Sequence, residues 1–288
     1  MSETVTEPQA GADRKQGEVT WIDCATSDLA AAEEFYAALF GWTSERSVAS
    51  DGMDYAVQSL GGQRVAGLYA LSQELLESGG RPHWAPYVEV RDLDAVLRRV
   101  RAQGGTVVVG PVDEPEVGQI AVIRDAVGAE LRLWTPEPGH GLQARQGPGM
   151  LIWTELMTWE PERAAAFYHH VLGTTVEKVA SGSATYRVLH MAGQPVAGLL
   201  QQTEEMGGGP ASWDVYFGSD DVNSTAAQAQ DLPTSPYLPL AMASDAANAA
   251  LEACAAEGHN VSVAIVARDG NTKVLLKADN SGPHTASS

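Results

Sequence analysis

Apolar residues follow two different spacings in the first third of the chain. Residues 18–25 alternate as a β-strand does. The segment LAAAEEFYAALFG then repeats its apolar positions every three to four residues, as an α-helix does, with Asp28 as candidate N-cap and Gly41 as candidate C-cap. Residues 55–60 and 65–71 alternate again and are joined at a glycine pair. The pattern predicts a strand, a helix and two further strands.

The same scheme returns before residue 137. Residues 86–91 read as a strand and 94–103 as a helix that ends at a glycine pair. Three further segments read as strands, at 107–109, 120–124 and 130–134. We therefore predict a βαβββ unit that occurs twice within residues 17–137, after a polar leader at 1–16 that we expect to be disordered.

Three blocks of sequence recur about 130 residues further along the chain. The recurring pairs are Trp21 and Trp153, Asp23 and Glu155, Tyr55 and Tyr186, and Trp84 and Trp213. We therefore predict a second copy at 149–230, after a linker at 138–148. No counterpart of the strands within 106–136 follows it, because residues 231–240 read DLPTSPYLPL, a proline-rich linker.

These motifs resemble those of the vicinal oxygen chelate superfamily, which contains glyoxalases, bleomycin-resistance proteins and extradiol dioxygenases. The residues that carry the resemblance are the helix motif from Asp28 to Gly41, Val90-Arg91-Asp92-Leu93-Asp94, Gly104-Gly105 and Asp125-x-x-Gly128-Ala129-Glu130-Leu131. The resemblance implies an α+β fold of tandem βαβββ modules, with one complete domain and an incomplete second copy.

The last fifty residues have a different pattern. Residues 241–257 read as an alanine-rich helix, and 261–266 and 274–276 as a β-hairpin. This order resembles the start of the GlcG-like heme-binding family over 241–288. The further helix of that family does not follow, so heme binding is not expected. In a physical alternative, the helix and hairpin cover the open sheet edge of the second copy.

Composition narrows the classes of function. The 18 basic and 37 acidic residues give a net charge of −19, which disfavours binding to nucleic acid or to anionic membranes. No apolar run is long enough for a transmembrane helix, and the leader lacks a secretory signal. Cys24 and Cys254 do not form a disulfide framework. We expect a soluble cytoplasmic protein.

Metal-dependent members of the superfamily use His, Glu or Gln on paired strands. The positions matched to those ligands hold Trp21, Gly67, Pro86 and Arg132 in the first copy and Trp153, Gly198 and Val215 in the second. None of these side chains binds a divalent metal through the oxygen or imidazole donors that such ions need. We therefore predict no metal site and no cofactor.

The candidate site is an aromatic concavity. Trp21 and Asp23 share one face of a strand, as do Trp153 and Glu155, and the resemblance implies that these faces line a cup. The candidate ligand-binding residues are Trp21, Tyr55, Trp84, Arg132, Trp153, Tyr186, His190 and Trp213. The alternative for the aromatic residues is core packing. Asp23 or Glu155 would serve as general base if desolvated, or else pair with an arginine such as Arg132.

Three hypotheses remain open. The first is a metal-independent protein that binds or sequesters a small organic molecule, aromatic ligands included, as bleomycin-resistance-like proteins do. The second is a metal-independent enzyme of secondary metabolism with Asp23 or Glu155 as base. The third is a structural or regulatory fusion in which the incomplete modules form a homodimer.

Overall fold

The computed structural model describes residues 16–50, 52–77, 80–181, 184–204, 209–232, 262–266 and 272–278. Almost all of the polar leader, most of the proline-rich linker and the whole helix expected at 241–257 lie outside the described residues, as does Cys254. Cys24 is a free, buried thiol. Within the described ranges, no helix is both long and apolar enough to span a membrane.

The first domain contains two βαβββ units in one mixed sheet. Its elements are β1 (Val19–Thr26), α1 (Leu29–Phe40), β2 (Thr43–Val48), β3 (Asp54–Leu60), β4 (Gln63–Ala70), α2 (Gln73–Glu77), β5 (His83–Glu89), α3 (Leu93–Ala102), β6 (Thr106–Glu114), β7 (Gly118–Arg124) and β8 (Glu130–Pro136). The strand order is β2-β3-β4-β1-β5-β8-β7-β6. Strands β1 and β4 are parallel, as are β5 and β8, and the antiparallel pair β1–β5 joins the two units.

The second domain repeats this arrangement. Its elements are β9 (Leu151–Thr158), α4 (Pro161–Leu172), β10 (Thr175–Ser181), β11 (Ala184–Met191), β12 (Gln194–Gln201), β13 (Ser212–Ser219), α5 (Val222–Asp231), β14 (Ser262–Val266) and β15 (Thr272–Ala278). The sheet order is β10-β11-β12-β9-β13-β15-β14. The α+β fold of tandem βαβββ modules is therefore confirmed.

The C-terminal hairpin β14–β15 belongs to the second sheet. Strand β15 lies parallel to β13, as β8 lies parallel to β5 in the first domain. Strand β14 is antiparallel to β15, as β7 is to β8. The sequence predicts no counterparts of β7 and β8 in the second copy. The C-terminal strands β14 and β15 occupy those two positions. This pairing agrees with the alternative in which the hairpin covers the open edge.

Local sequence explains where the helices begin and end. Asp28, Asp92 and Asp221 each accept a hydrogen bond from a backbone amide three residues further on, which satisfies an otherwise unpaired donor of the first turn. Gly41 and Gly173 follow α1 and α4 with φ values of 73° and 85°, the left-handed conformation that glycine adopts without steric cost.

One hydrophobic core joins the two domains. Phe40, Trp42 and Trp84 of the first domain pack against Phe217 of the second, with ring centroids 5.2–5.5 Å from that ring; we call these four residues the aromatic seam. The indole of Trp42 also donates to the carbonyl oxygen of Gly149 at 2.8 Å. Because the seam contains residues of both domains, the helix-covered faces of the two sheets share one core. The candidate site described below lies on the opposite faces.

Candidate functional site

The face of the first sheet opposite the helices carries a cluster of aromatic and charged side chains. We call this cluster the first cup; its residues are Trp21, Asp23, Tyr55, Tyr69, Tyr87, Arg132 and Trp134. The sheet curls until its two edges meet: the backbone amide of Ser50, just after β2, donates to Oε1 of Glu114 at the end of β6 at 3.0 Å. The cup is therefore closed from edge to edge at this point.

Asp23 is the centre of the first cup and is 3% exposed. Its Oδ1 accepts hydrogen bonds from Nε1 of Trp21 and the hydroxyl of Tyr55, both at 2.7 Å. Its Oδ2 accepts a hydrogen bond from the hydroxyl of Tyr87 at 2.5 Å. Burial raises the pKa of Asp23, while the hydrogen bond from Tyr87 and the charge of Arg132 act in the opposite direction.

Arg132 supplies the positive charge of the first cup and is 6% exposed. Strand β8 places it beside Tyr87 of β5. The guanidinium lies 5.7 Å from the ring centroid of Tyr69 and 5.5 Å from that of Tyr87, and its Nη2 donates to the hydroxyl of Tyr69 at 2.6 Å. Cation–π contacts and this hydrogen bond fix the guanidinium on the face that carries Asp23.

Gly67 leaves the space in which this cluster forms. A Cβ atom at position 67 would overlap the hydroxyl of Tyr55 and the carboxylate of Asp23. The second domain repeats the arrangement, because a Cβ at Gly198 would overlap the hydroxyl of Tyr186. The glycine at this position of both repeats is therefore required by a tyrosine hydroxyl that occupies the space of its absent side chain.

The equivalent face of the second sheet, the second cup, carries Trp153, Glu155, Tyr186, Leu200, Asp214 and Tyr216. Glu155 is 1% exposed and accepts a hydrogen bond from the hydroxyl of Tyr216 at 2.8 Å. Nε1 of Trp153 donates to the hydroxyl of Tyr186 at 2.9 Å. Both cups thus retain a buried carboxylate, two tyrosines and a tryptophan.

The charges of the two cups differ. Asp214 is 4% exposed and lies directly across the strand pair from Glu155, where the first cup has Ala85 across from Asp23. The register position of Arg132, beside the tyrosine of the neighbouring strand, is held in the second sheet by Leu275. The second cup therefore brings two carboxylates together, whereas the first holds one carboxylate and one guanidinium.

A divalent metal does not fit the residues of the first cup. The positions matched to metal ligands hold Trp21, Gly67 and the guanidinium of Arg132, which already brings a positive charge. Pro86, the fourth of them, faces the core, and its neighbour on the cup face is Tyr87. Throughout the described ranges, no group of three or more His, Cys, Asp or Glu side chains could hold a metal ion.

Two of the expected ligand-binding residues lie on the opposite face of their sheets. Trp84 belongs to the aromatic seam, and its Nε1 donates to the hydroxyl of Tyr36 at 3.1 Å. Trp213 lies in the same core, and its Nε1 donates to the hydroxyl of Tyr168 at 3.2 Å. The structure does not bring either tryptophan into contact with the buried carboxylates.

The remaining expected residues lie on the cup faces. Trp21, Asp23, Tyr55 and Arg132 meet in the first cup, as described above. Trp153, Glu155 and Tyr186 meet in the second. His190 lies on the same strand as Tyr186, and its Nε2 is 3.4 Å from Oε2 of Glu177 near the edge of the sheet.

Six cup residues are absent from the set that the sequence predicts: Tyr69, Tyr87, Trp134, Leu200, Asp214 and Tyr216. The repeated blocks W-x-x-Y contain Tyr87 and Tyr216, and the three-residue spacing places each tyrosine on the face opposite its tryptophan. That spacing is the signal that could have identified them. Tyr69 and Asp214 join the site only through strand register.

Comparison with known proteins agrees with this fold. Residues 18–133 match the family model of the Glyoxalase/Bleomycin resistance protein/Dioxygenase superfamily, and residues 238–288 match that of the haem degrading protein HbpS-like family. The chain is 37% identical over 218 residues to "Putative glyoxylase CFP32" of Mycobacterium tuberculosis, covering 75% of this chain and 82% of that protein. The chain therefore belongs to the Glyoxalase/Bleomycin resistance protein/Dioxygenase superfamily.

Two further similarities extend over most of the chain. Anthracycline biosynthesis protein DauV of Streptomyces sp. strain C5 is 31% identical over 234 residues, covering 75% of this chain and 82% of that protein. The structure of 2,2',3-trihydroxybiphenyl 1,2-dioxygenase from Sphingomonas wittichii superposes with a TM-score of 0.57 at 15% identity, covering 92% of this chain and 91% of that chain. At that identity, the dioxygenase supports the fold alone.

Proposed function

We propose that this protein binds a small planar aromatic molecule in the first cup, without a divalent metal. The observation that carries the proposal is that Asp23 and Arg132 are both buried on one sheet face walled by aromatic rings. Such a face offers flat apolar surface together with a few fixed polar groups, the combination typical of small-molecule sites.

The names of the relatives support an aromatic ligand. DauV of Streptomyces is named as an anthracycline biosynthesis protein. Anthracyclines are flat polycyclic aromatic compounds, which suit the rings of Trp21, Tyr87 and Trp134 that pack together in the first cup. The ligand class proposed for this chain is therefore a polycyclic aromatic compound of secondary metabolism.

The charge in the first cup supports metal independence. Arg132 occupies a position matched to a metal ligand, and a second cation beside it would be repelled. In this proposal, the guanidinium of Arg132 carries out the polar recognition that a metal ion performs elsewhere in the superfamily.

A metal-independent enzyme with Asp23 as general base is the second candidate function. Burial raises the pKa of this carboxylate, and a raised pKa favours proton transfer near neutrality. However, the three donors that hydrogen-bond to Asp23 stabilise its charged form and act against the rise of its pKa, which weakens it as a base. Binding without turnover is therefore the function we favour, and Glu155 is the equivalent candidate base in the second cup.

The test is a titration with 1,8-dihydroxyanthraquinone and with anthracene in the presence of EDTA. We expect quenching of tryptophan fluorescence with a micromolar dissociation constant and no chemical change of the probe by mass spectrometry. Tyr87→Phe should weaken binding, while Tyr216→Phe in the second cup should leave it unchanged. Absence of quenching by both probes would overturn the proposal. Chemical conversion that Asp23→Asn abolishes would establish the enzyme instead.

A further inference from the structure

The guanidinium of Arg132 has an incomplete set of hydrogen bonds. Nη2 donates to the hydroxyl of Tyr69, but Nη1 is buried and has no hydrogen-bond partner among the described residues. The nearest carboxylate oxygen to Nη1 is Oε1 of Glu130, at 3.9 Å, which is beyond hydrogen-bond distance. The same oxygen of Glu130 lies 3.7 Å from Nε2 of His83, so this carboxylate interacts with both His83 and Arg132.

A buried, unsatisfied charged donor is costly. Leaving such a group without a partner costs more than an ordinary hydrogen bond contributes, because its water is removed and not replaced. Asp23 does not supply the missing acceptor, because its oxygens lie farther from Nη1 than the 3.9 Å of Glu130 and accept from Trp21, Tyr55 and Tyr87 instead. An acceptor from outside the chain would complete the guanidinium.

The surroundings of Arg132 restrict what that acceptor can be. The rings of Tyr69 and Tyr87 flank the guanidinium, so an approaching group meets aromatic surface beside a positive charge. A neutral carbonyl would accept an ordinary hydrogen bond from Nη1. An oxyanion would accept a stronger one, because hydrogen bonds between two charged groups are about twice as strong as neutral ones.

We infer that the ligand of the first cup carries an oxyanion on its aromatic ring system, and that this oxyanion accepts a hydrogen bond from Nη1 of Arg132. The inference rests on the function proposed above and specifies the substrate class of that same site. Recognition of the oxyanion belongs to the first cup alone, because Leu275 holds the corresponding register position in the second sheet.

The experiment compares two probes of equal shape, 2-naphthoate and its neutral isostere 2-naphthamide, by calorimetry on the full chain. We expect the carboxylate to bind at least tenfold more tightly than the amide. If both bind equally, the oxyanion inference is wrong while aromatic binding stands. If neither binds and the anthraquinone and anthracene titrations are also negative, the proposed function itself fails.

Two arginine variants locate the preference. Arg132→Gln should abolish the tenfold preference for 2-naphthoate, and Arg132→Lys should retain part of it as a point charge. The matched control is Arg187→Gln, which removes another buried guanidinium, one that pairs with Glu162 in the second domain. Arg187→Gln should lower stability and keep the preference. A preference for 2-naphthoate that survives Arg132→Gln in a folded protein would overturn the inference. If that variant does not fold, the comparison of the two probes on the unmodified chain still tests it.

Discussion

The hydroxyl of Tyr55 fills the space that the side chain of residue 67 would occupy, and Gly67 is the residue that permits it. The same hydroxyl donates to Asp23 and accepts from Trp21 at 2.9 Å. The absence of a side chain at position 67 is therefore a condition for the hydrogen bonds that hold the buried carboxylate.

Gly67→Ala should destabilise the protein by about 1–3 kcal/mol, because the new methyl group overlaps both Tyr55 and Asp23. In an ordinary strand the same change would stabilise the protein. A destabilising effect therefore points to the overlap and not to the loss of a glycine as such. Urea unfolding measures it. Gly209→Ala is the control and should change stability little, because a Cβ at position 209 would meet no described residue within 4 Å apart from its chain neighbours. An unchanged unfolding midpoint for Gly67→Ala would contradict the overlap.

Tyr87 and Asp23 should be energetically coupled. Tyr87→Phe removes the hydroxyl that donates to Oδ2 of Asp23 and should cost about 1–3 kcal/mol. In a double-mutant cycle with Asp23→Asn, the coupling energy should be about 0.5–3 kcal/mol. The cycle of Asp23→Asn with Tyr216→Phe should instead be additive, because these residues belong to different cups. Additivity in both cycles would mean that the hydrogen bond to Oδ2 contributes nothing.

Asp23 should make stability depend on pH. Burial raises its pKa above the 3.8 of an exposed aspartate, so between 3.8 and the raised pKa the folded state binds more protons than the unfolded state. Its contribution is therefore complete below pH 3.8 and is lost as the pH rises through the raised pKa.

The comparison of the unmodified protein with Asp23→Asn isolates this contribution. The unfolding free energy of the unmodified protein minus that of the variant should be largest near about pH 4 and should decrease toward about pH 8. Urea titrations at several pH values measure the difference. A difference that increases with pH would show that Arg132 and the three donors outweigh the cost of burying the charge.

Divalent metals should not stabilise the folded protein. An ion at one hundred times its dissociation constant would add about 2.7 kcal/mol to the unfolding free energy. We expect the thermal midpoint to be the same with EDTA as with millimolar Mn²⁺, Mg²⁺ or Zn²⁺, because Arg132 stands at a position matched to a metal ligand. A rise of several degrees with any of these ions would show that the cups provide a metal site after all.

The C-terminal hairpin should stabilise the second domain. Strand β15 pairs with β13 from Tyr216 opposite Leu275 to Ser219 opposite Ala278. Leu276→Pro removes a backbone donor and conflicts with strand geometry, so it should lower the thermal midpoint. Deletion of residues 239–288 should lower it further and promote aggregation through the exposed edge of β13. An unchanged melting curve for the deletion would show that the second domain folds without the hairpin.

The repeat predicts most of the fold, because strand and helix periods and capping residues are local properties of sequence. The spacing of Trp21 and Asp23 alone places them on one face, and the structure has them there. Trp84, expected in the cup, lies in the core, since the block W-x-x-Y puts its two aromatic residues on opposite faces and only Tyr87 faces Asp23.

The rest of the site depends on strand pairing between distant segments. Arg132 meets Tyr87 only because β8 pairs with β5, and Asp214 meets Glu155 only because β13 pairs with β9 in one register. Motif matching assigns Pro86 to a ligand position, but Tyr87 and not Pro86 lies on the cup face, because a one-residue shift reverses the face of a strand. Likewise, the place of the hairpin in the second sheet depends on a parallel pairing that its own sequence does not encode.

The two cups share no side chain among the described residues, although one core holds both sheets together. Substitutions in one cup should therefore leave the chemistry of the other intact, since sites without common partners act additively. The repeat thus gives the chain two independent cups on a common scaffold. Arg132 and Asp214 can therefore be exchanged one cup at a time, while the shared core keeps the protein folded.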